Sequence, residues 1–149
     1  MISIEHSVVI NRRIEDVFAF MANPENTPLW AGVVRETKLT SEGPVGVGTT
    51  YNVVIELLGR RIESNTEFTE YEPNSKLSTK DTSGPMPMEI STTFKAVEGG
   101  TEVTNSAKLE AAGLFKLGEP IFARMANRQV ETDFANLKDL LEARAFDSD

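Results

Sequence analysis

The sequence predicts an α+β fold: a seven-stranded, curved antiparallel sheet wrapped around one long C-terminal helix, with two short helices after the first strand. Three observations carry this. Apolar and polar residues alternate from Val45 to Leu109 in the stretches Tyr51/Val53/Ile55/Leu57, Ile62/Ser64/Thr66/Phe68, Met86/Met88/Ile90/Thr92/Phe94 and Val103/Asn105/Ala107/Leu109. Period two marks strands with one buried and one wet face. The only long amphipathic helical pattern runs from Glu119 to Phe146, and a sheet with one dry face needs such a cover. A short helical pattern precedes the alternating region.

The first strand spans Ile2 to Ile10, where Ile2, Ile4, His6, Val8 and Ile10 share one register. Ile14, Val17, Phe18 and Met21 fall at i, i+3, i+4 and i+7, one face of a two-turn helix. Asn23-Pro24-Glu25 starts a second helix: a side-chain acceptor, a proline at the first position and an acid at the positive dipole end. Pro28 limits it to about a turn and Trp30 closes it. The second strand is 33–39, and 41–48 is a loop. Residues 49–58 and 61–71 form a hairpin around Gly59, and a strand over 76–82 follows the turn at Glu72-Pro73-Asn74-Ser75. Ser83-Gly84-Pro85 breaks that strand. Strands 86–97 and 101–110 are joined by Glu98-Gly99-Gly100, a strong hairpin signal. Register places Val103, Asn105, Ala107 and Leu109 inward and Glu102, Thr104, Ser106 and Lys108 outward. On the last helix Val130, Phe134, Leu137 and Leu141 share a stripe, and Ile121, Phe122 and Met125 point roughly 100° away. The first half of that helix is thus expected to face another surface: a lid with Leu114-Phe115, a contact between two copies in a homodimer, or a kink near Pro120.

At 149 residues the chain is read as one ligand-binding domain over 1–146, with 147–149 a frayed tail. There is no cysteine, which excludes disulfides, thiolate nucleophiles and cysteine-held metals. The N-terminus does not read as a signal peptide, no apolar run approaches the ~20 residues of a membrane span, and the expected compartment is the cytoplasm. A net charge of −8 argues against nucleic-acid binding.

The order of elements, Val17-Phe18 on the first helix and Asn23-Pro24-Glu25-Asn26 followed by Trp30, resembles the START-like (Bet v 1-like) helix-grip superfamily. Within it the chain is similar to the bacterial polyketide cyclase/dehydrase-related (SRPBCC) group. The Val45-Gly46-Val47-Gly48-Thr49 strand entry, the Glu70-Tyr71-Glu72-Pro73 corner and the 98–104 hairpin also match. The resemblance covers essentially the whole chain and implies a sheet gripping the C-terminal helix around a ligand cavity. Superfamily members include lipid and hormone binders, aromatase/cyclases, quinone-binding proteins and chaperone cofactors. No catalytic motif of the cyclases matches here position by position, so no catalytic residue is assigned.

His6, the only histidine, sits on an apolar-alternating strand and reads as a packed strand residue rather than a base. No metal is expected, for want of a second histidine, a cysteine or EF-hand spacing. No cofactor is expected either: 43–48 lacks the G-x-G-x-x-G spacing and leads into a strand, so it forms no phosphate cradle. Glu56, Glu67 and Glu89 belong to the wet register, and Glu70 enters the dry one only at a strand end. More informative are polar residues in the dry register: Ser64, Thr66, Thr92 and Asn105, with Thr79 and Asp81 on the neighbouring strand. Buried polar groups cost free energy unless bonded, so several on one concave face point to a wet or ligand-filled interior.

The expected function is binding of a small, largely apolar molecule, lipid-, polyketide- or quinone-like, between sheet and helix. Trp30, Tyr51, Val53, Ile55, Phe68, Met88, Ile90, Phe94, Phe122 and Met125 would line the site, and Thr66, Thr92 and Asn105 would supply polar contacts. Two alternatives stand beside it: a cyclase or dehydratase acting in the same cavity, and a protein-interaction module.

Overall fold

The computed structural model describes residues 2–57, 59–84, 87–110 and 118–144. Seven strands, β1 (Ile2–Ile10), β2 (Val34–Leu39), β3 (Thr50–Leu57), β4 (Arg60–Glu72), β5 (Lys76–Ser83), β6 (Met88–Val97) and β7 (Gly100–Leu109), form one sheet. All neighbours are antiparallel, in the order β1-β7-β6-β5-β4-β3-β2. Helix α1 (Ile14–Ala22) and a 3-10 helix (Pro24–Leu29) separate β1 from β2, and α2 (Glu119–Ala143) comes last. This is the α+β architecture read from the sequence, with strand ends displaced by a residue or two. Met86, Leu114, Phe115 and the tail 147–149 lie outside the described residues.

The turns follow their local chemistry. Asn23 Oδ1 accepts the backbone N–H of Glu25 at 3.1 Å, capping the 3-10 helix whose first residue is Pro24. Gly100 sits at φ 138°, and a Cβ there would lie 2.0 Å from the carbonyl oxygen of Ile10, so the β6–β7 hairpin tolerates no side chain at that point.

On β7 the register is as read: Val103, Asn105, Ala107 and Leu109 are buried, and Lys108 is exposed. Two details depart from strict alternation. A bulge between Phe68 and Glu70 lets β4 slip against β5. Tyr71 thereby turns inward, edge-on to Phe18 and Phe68, while Glu70 turns out to pair with Lys76 at 3.1 Å. On β3, Val54 is more buried than Val53 and Ile55 on either side; the β2–β3 ladder is bulged beside it, and Val54 stands opposite Glu36 and Glu63.

The core has two parts. One gathers Val17, Phe18, Phe20, Phe68, Leu77, Phe94, Val103, Phe134, Leu137 and Leu141 beneath α1 and the C-terminal half of α2. The other joins Ile2, Ile4, Ala107 and Leu109 to Phe122. Phe122 therefore belongs to the core, against the expectation that its helix half faces elsewhere. Ala123 and Ala126 are small enough for that end of α2 to settle on the sheet. Ile121 and Met125 do point out, 66% and 42% exposed.

Helix α2 makes most of its close backbone contacts with β1. Arg12 Nε donates to the Leu141 carbonyl at 2.8 Å, Lys138 Nζ to the Val9 carbonyl at 2.6 Å, and Glu142 Oε2 accepts the Asn11 N–H at 2.7 Å. A second attachment reaches the segment leading into β2. Phe134 stacks on Trp30 at 5.4 Å and on His6 at 5.7 Å, and Asp133 Oδ1 accepts the Gly32 N–H at 2.9 Å. Gly32 allows this approach: a Cβ would meet Gln129 Nε2 at 3.0 Å.

Because Phe134 is enclosed and holds both attachments, Phe134→Ala should cost about 3–5 kcal/mol. Trp30→Ala should cost less, since that ring is only half-buried. Urea unfolding midpoints measure both, and an unmoved midpoint for Phe134→Ala would show that the helix is held without the stack.

Candidate functional site

The concave face of the sheet is unevenly covered. Near β1 and β7 the inward side chains are enclosed, whereas Tyr51, Val53, Ile55, Leu57, Ile62, Ser64, Thr79, Met88 and Ile90 are only half-buried. Val53 and Ile55 belong to neither core cluster. The close backbone contacts of α2 concentrate on β1, while on β4 and β5 Phe68 and Leu77 share the core cluster of Phe134, Leu137 and Leu141. Among the described residues the half-buried part of the concave face is a half-covered apolar surface, called the hollow below.

Thr92 and Asn105 face each other across β6 and β7 and are 6% and 7% exposed. Neither side chain makes a hydrogen bond to the protein among the described residues. Yet no fully enclosed polar side-chain atom lacks a partner there. The Thr92 hydroxyl and the Asn105 amide therefore open onto space that a small molecule or water can reach.

Roughly 13 Å further along the strands, taking four residues from Leu77 to Asp81, a second polar group stands at the other end. The Thr66 hydroxyl donates to Asp81 Oδ1 at 3.1 Å, and the Met88 N–H donates to Oδ2 at 3.2 Å. Burial pushes the Asp81 carboxyl up to about 6, against those two hydrogen bonds. The Tyr51 ring lies on Phe68 at 5.7 Å. Burial pushes its phenol up to about 12; the Thr79 hydroxyl pulls the other way and the Asp81 charge adds to the rise. Tyr51 is thus neutral at any working pH.

The residues proposed from sequence fall into three groups. Tyr51, Val53, Ile55, Met88 and Ile90 border the hollow, and Thr92 and Asn105 lie buried on the same concave face. Phe68, Phe94 and Phe122 are core residues, and Trp30 packs on Phe134. Thr66 is buried with its hydroxyl committed to Asp81, and Met125 lies on the exposed side of α2. Sequence reasoning placed Asp81 in the dry register but not among the site residues. Its signal was there: an ionisable residue at an inward position two beyond Thr79. His6 stacks on Phe134 with no carboxylate partner, and among the described residues no group of acids and histidines could hold a metal.

Two surface pockets are bordered by described residues. One, of about 560 Å³, lies beside the start of α1 between Asn11, Arg13 and Ala96. The other, of about 320 Å³, is bordered by Asp81 and Met88 together with Lys80, Glu89 and Lys108.

Residues 1–142 match the model of a family described as polyketide cyclase/dehydrase and lipid transport. The chain belongs to that family. An uncharacterised protein of Mycobacterium tuberculosis is 26% identical over 134 residues, covering 87% of this chain and 78% of its own. Among solved structures, the Zhui aromatase/cyclase of a Streptomyces species superposes with a TM-score of 0.77 at 12% identity, over 98% of this chain and 96% of its own. A START superfamily protein of Mycobacterium smegmatis gives 0.74 at 12% identity, over 95% and 98%. By these measures the chain shares the helix-grip fold of its structural neighbours. No helix among the described residues is long and apolar enough to cross a membrane.

The raised Asp81 carboxyl sets a stability test. The folded state holds this proton more tightly than the unfolded chain. Its contribution is thus fully present below the ordinary carboxylate value of 3.8 and lost as pH rises through about 6. Asp81→Asn removes the charge while its oxygen can accept the Met88 N–H and its amide can donate to the Thr66 hydroxyl. Its thermal midpoint should exceed the native one at pH 8, by about 2–4 °C per kcal/mol relieved. The gap should close near pH 4. A constant gap from pH 4 to 8 would show that Asp81 titrates normally.

Proposed function

We propose that the protein binds a small, largely apolar molecule in the hollow between the concave face and α2. One observation carries this reading: Thr92 and Asn105 are nearly enclosed on the concave face, and their side chains make no hydrogen bond among the described residues. Polar groups so placed cost stability unless something else bonds them. A bound molecule with a carbonyl or hydroxyl supplies that partner, while Tyr51, Val53, Ile55, Met88 and Ile90 give it an apolar wall. Membership of a family described by both cyclisation and lipid transport supports a ligand of this class. The cyclase named among the structural neighbours is consistent with it.

Asp81 and Tyr51 favour a second reading, a cyclase or dehydratase in the same hollow. A carboxyl pushed up to about 6 is poised to exchange protons near neutral pH. Binding remains the better supported, because among the described residues no base is held by an orienting partner against a nucleophile.

Native mass spectrometry of the purified protein should show retained small molecules. Nile red, a neutral apolar probe, should bind with a blue-shifted emission and be displaced by extracts of those molecules. No retained mass together with no Nile red binding would sink the proposal.

A separate variant tests the carrying observation. Asn105→Leu removes an amide that makes no hydrogen bond among the described residues, so it should raise the free energy of unfolding, by about 1–3 kcal/mol if the whole desolvation cost is relieved. It should also weaken retention of the co-purified molecule. If Asn105→Leu destabilises the protein instead, the amide is serving the fold and not a ligand.

A further inference from the structure

Resting on the binding reading above, the geometry points to a more specific ligand: we propose that Asp81 receives a hydroxyl group at one end of an otherwise apolar molecule, an aliphatic alcohol or a phenol. Each Asp81 oxygen accepts one hydrogen bond, from the Thr66 hydroxyl or the Met88 N–H. A carboxylate takes about four, so half its acceptor capacity is open. None of the ion pairs among the described residues includes Asp81. The groups around it are neutral on the inner side: the Thr66 and Thr79 hydroxyls, the Tyr51 phenol and the Met88 side chain. Charged neighbours, Lys80, Glu89, Lys108 and Glu110, border the pocket on its outer side.

Chemistry then decides among ligand end groups. A hydroxyl donates to a carboxylate in a charge-assisted hydrogen bond, stronger than a neutral one. An ether or ester offers only acceptors and leaves the carboxylate unmet. A fatty carboxylate brings a like charge into a half-buried site, which is worse than either. The other polar station, Thr92 and Asn105, is neutral and can both donate and accept. Discrimination between end groups therefore belongs to Asp81.

The test is displacement of Nile red at pH 8 by three competitors built on a ten-carbon chain: 1-decanol, decyl methyl ether and decanoate. Native protein should prefer decanol to the ether by at least tenfold and bind decanoate most weakly. Asp81→Asn should bring decanol and the ether within about threefold of each other and admit decanoate. Lys108→Ala, which alters only the outer pocket, should keep the native order. Native protein that binds the three equally, or Asp81→Asn that keeps the native order, overturns this proposal while leaving the binding reading intact. Loss of the order in Lys108→Ala overturns it too, since the hydroxyl then meets the outer pocket. Failure of Nile red to bind the native protein overturns the binding reading and this inference with it.

Discussion

The edge strands β1 and β2 do not pair with each other, so the curl of the sheet has to be held from inside. Helix α2 does this at two places. Along β1 and just past its end, Arg12 and Lys138 donate to the Leu141 and Val9 carbonyls and Glu142 accepts the Asn11 N–H. Towards β2 it reaches the segment before the strand through the Trp30–Phe134 stack and the Asp133–Gly32 hydrogen bond. Burial raises the Asp133 carboxyl against the two hydrogen bonds it accepts, from Gly32 and Gln129, so the tie is itself made at some electrostatic cost. An ordinary helix laid across the middle of the sheet would fill the concave face. Anchored at the margins, α2 fills one end through Phe134, Leu137 and Leu141 and leaves Val53 and Ile55 half-buried.

The hollow is the other side of that arrangement. Aromatic and branched residues pack densely where α1 and the second half of α2 meet the sheet. Elsewhere the same curvature leaves Val53, Ile55 and Ile90 half-covered and the Thr92 and Asn105 side chains without a hydrogen bond among the described residues. A protein under selection for stability alone would close this space with apolar side chains, since poorly filled cores weaken the folded state. The site and the weakness are the same feature.

Much of this was legible in the sequence because period two is strict on β7, and a register error there would reverse every side chain. The two-turn helix and the Asn23 cap were equally readable, being local. What escaped was non-local. Nothing in the residues around Thr69 announces the bulge that turns Tyr71 in and Glu70 out; it appears only when β4 meets β5. Helical angle alone grouped Phe122 with Ile121 and Met125, but packing on Ile2, Ile4 and Leu109 separates them. Thr66 looked like a ligand contact because its register is right; its hydroxyl is taken by Asp81, a partner on another strand. Asp133, buried on α2, gave no signal because its partner is a glycine N–H a hundred residues earlier.

The pairing of β1 has a consequence for synthesis. This first strand is rich in isoleucine and valine, and its ladder partner is the last strand of the sheet, from Ile2 opposite Leu109 to Ile10 opposite Thr101. Arg12 finds its carbonyl 129 residues later, at Leu141. Ribosomes add about 5–20 residues each second, so the N-terminal strand waits on the order of ten seconds with its backbone unpaired. Long-range closure of this kind also slows folding once the chain is free. The segment most able to join a neighbouring chain edge to edge is thus the one that stays exposed longest in the cell.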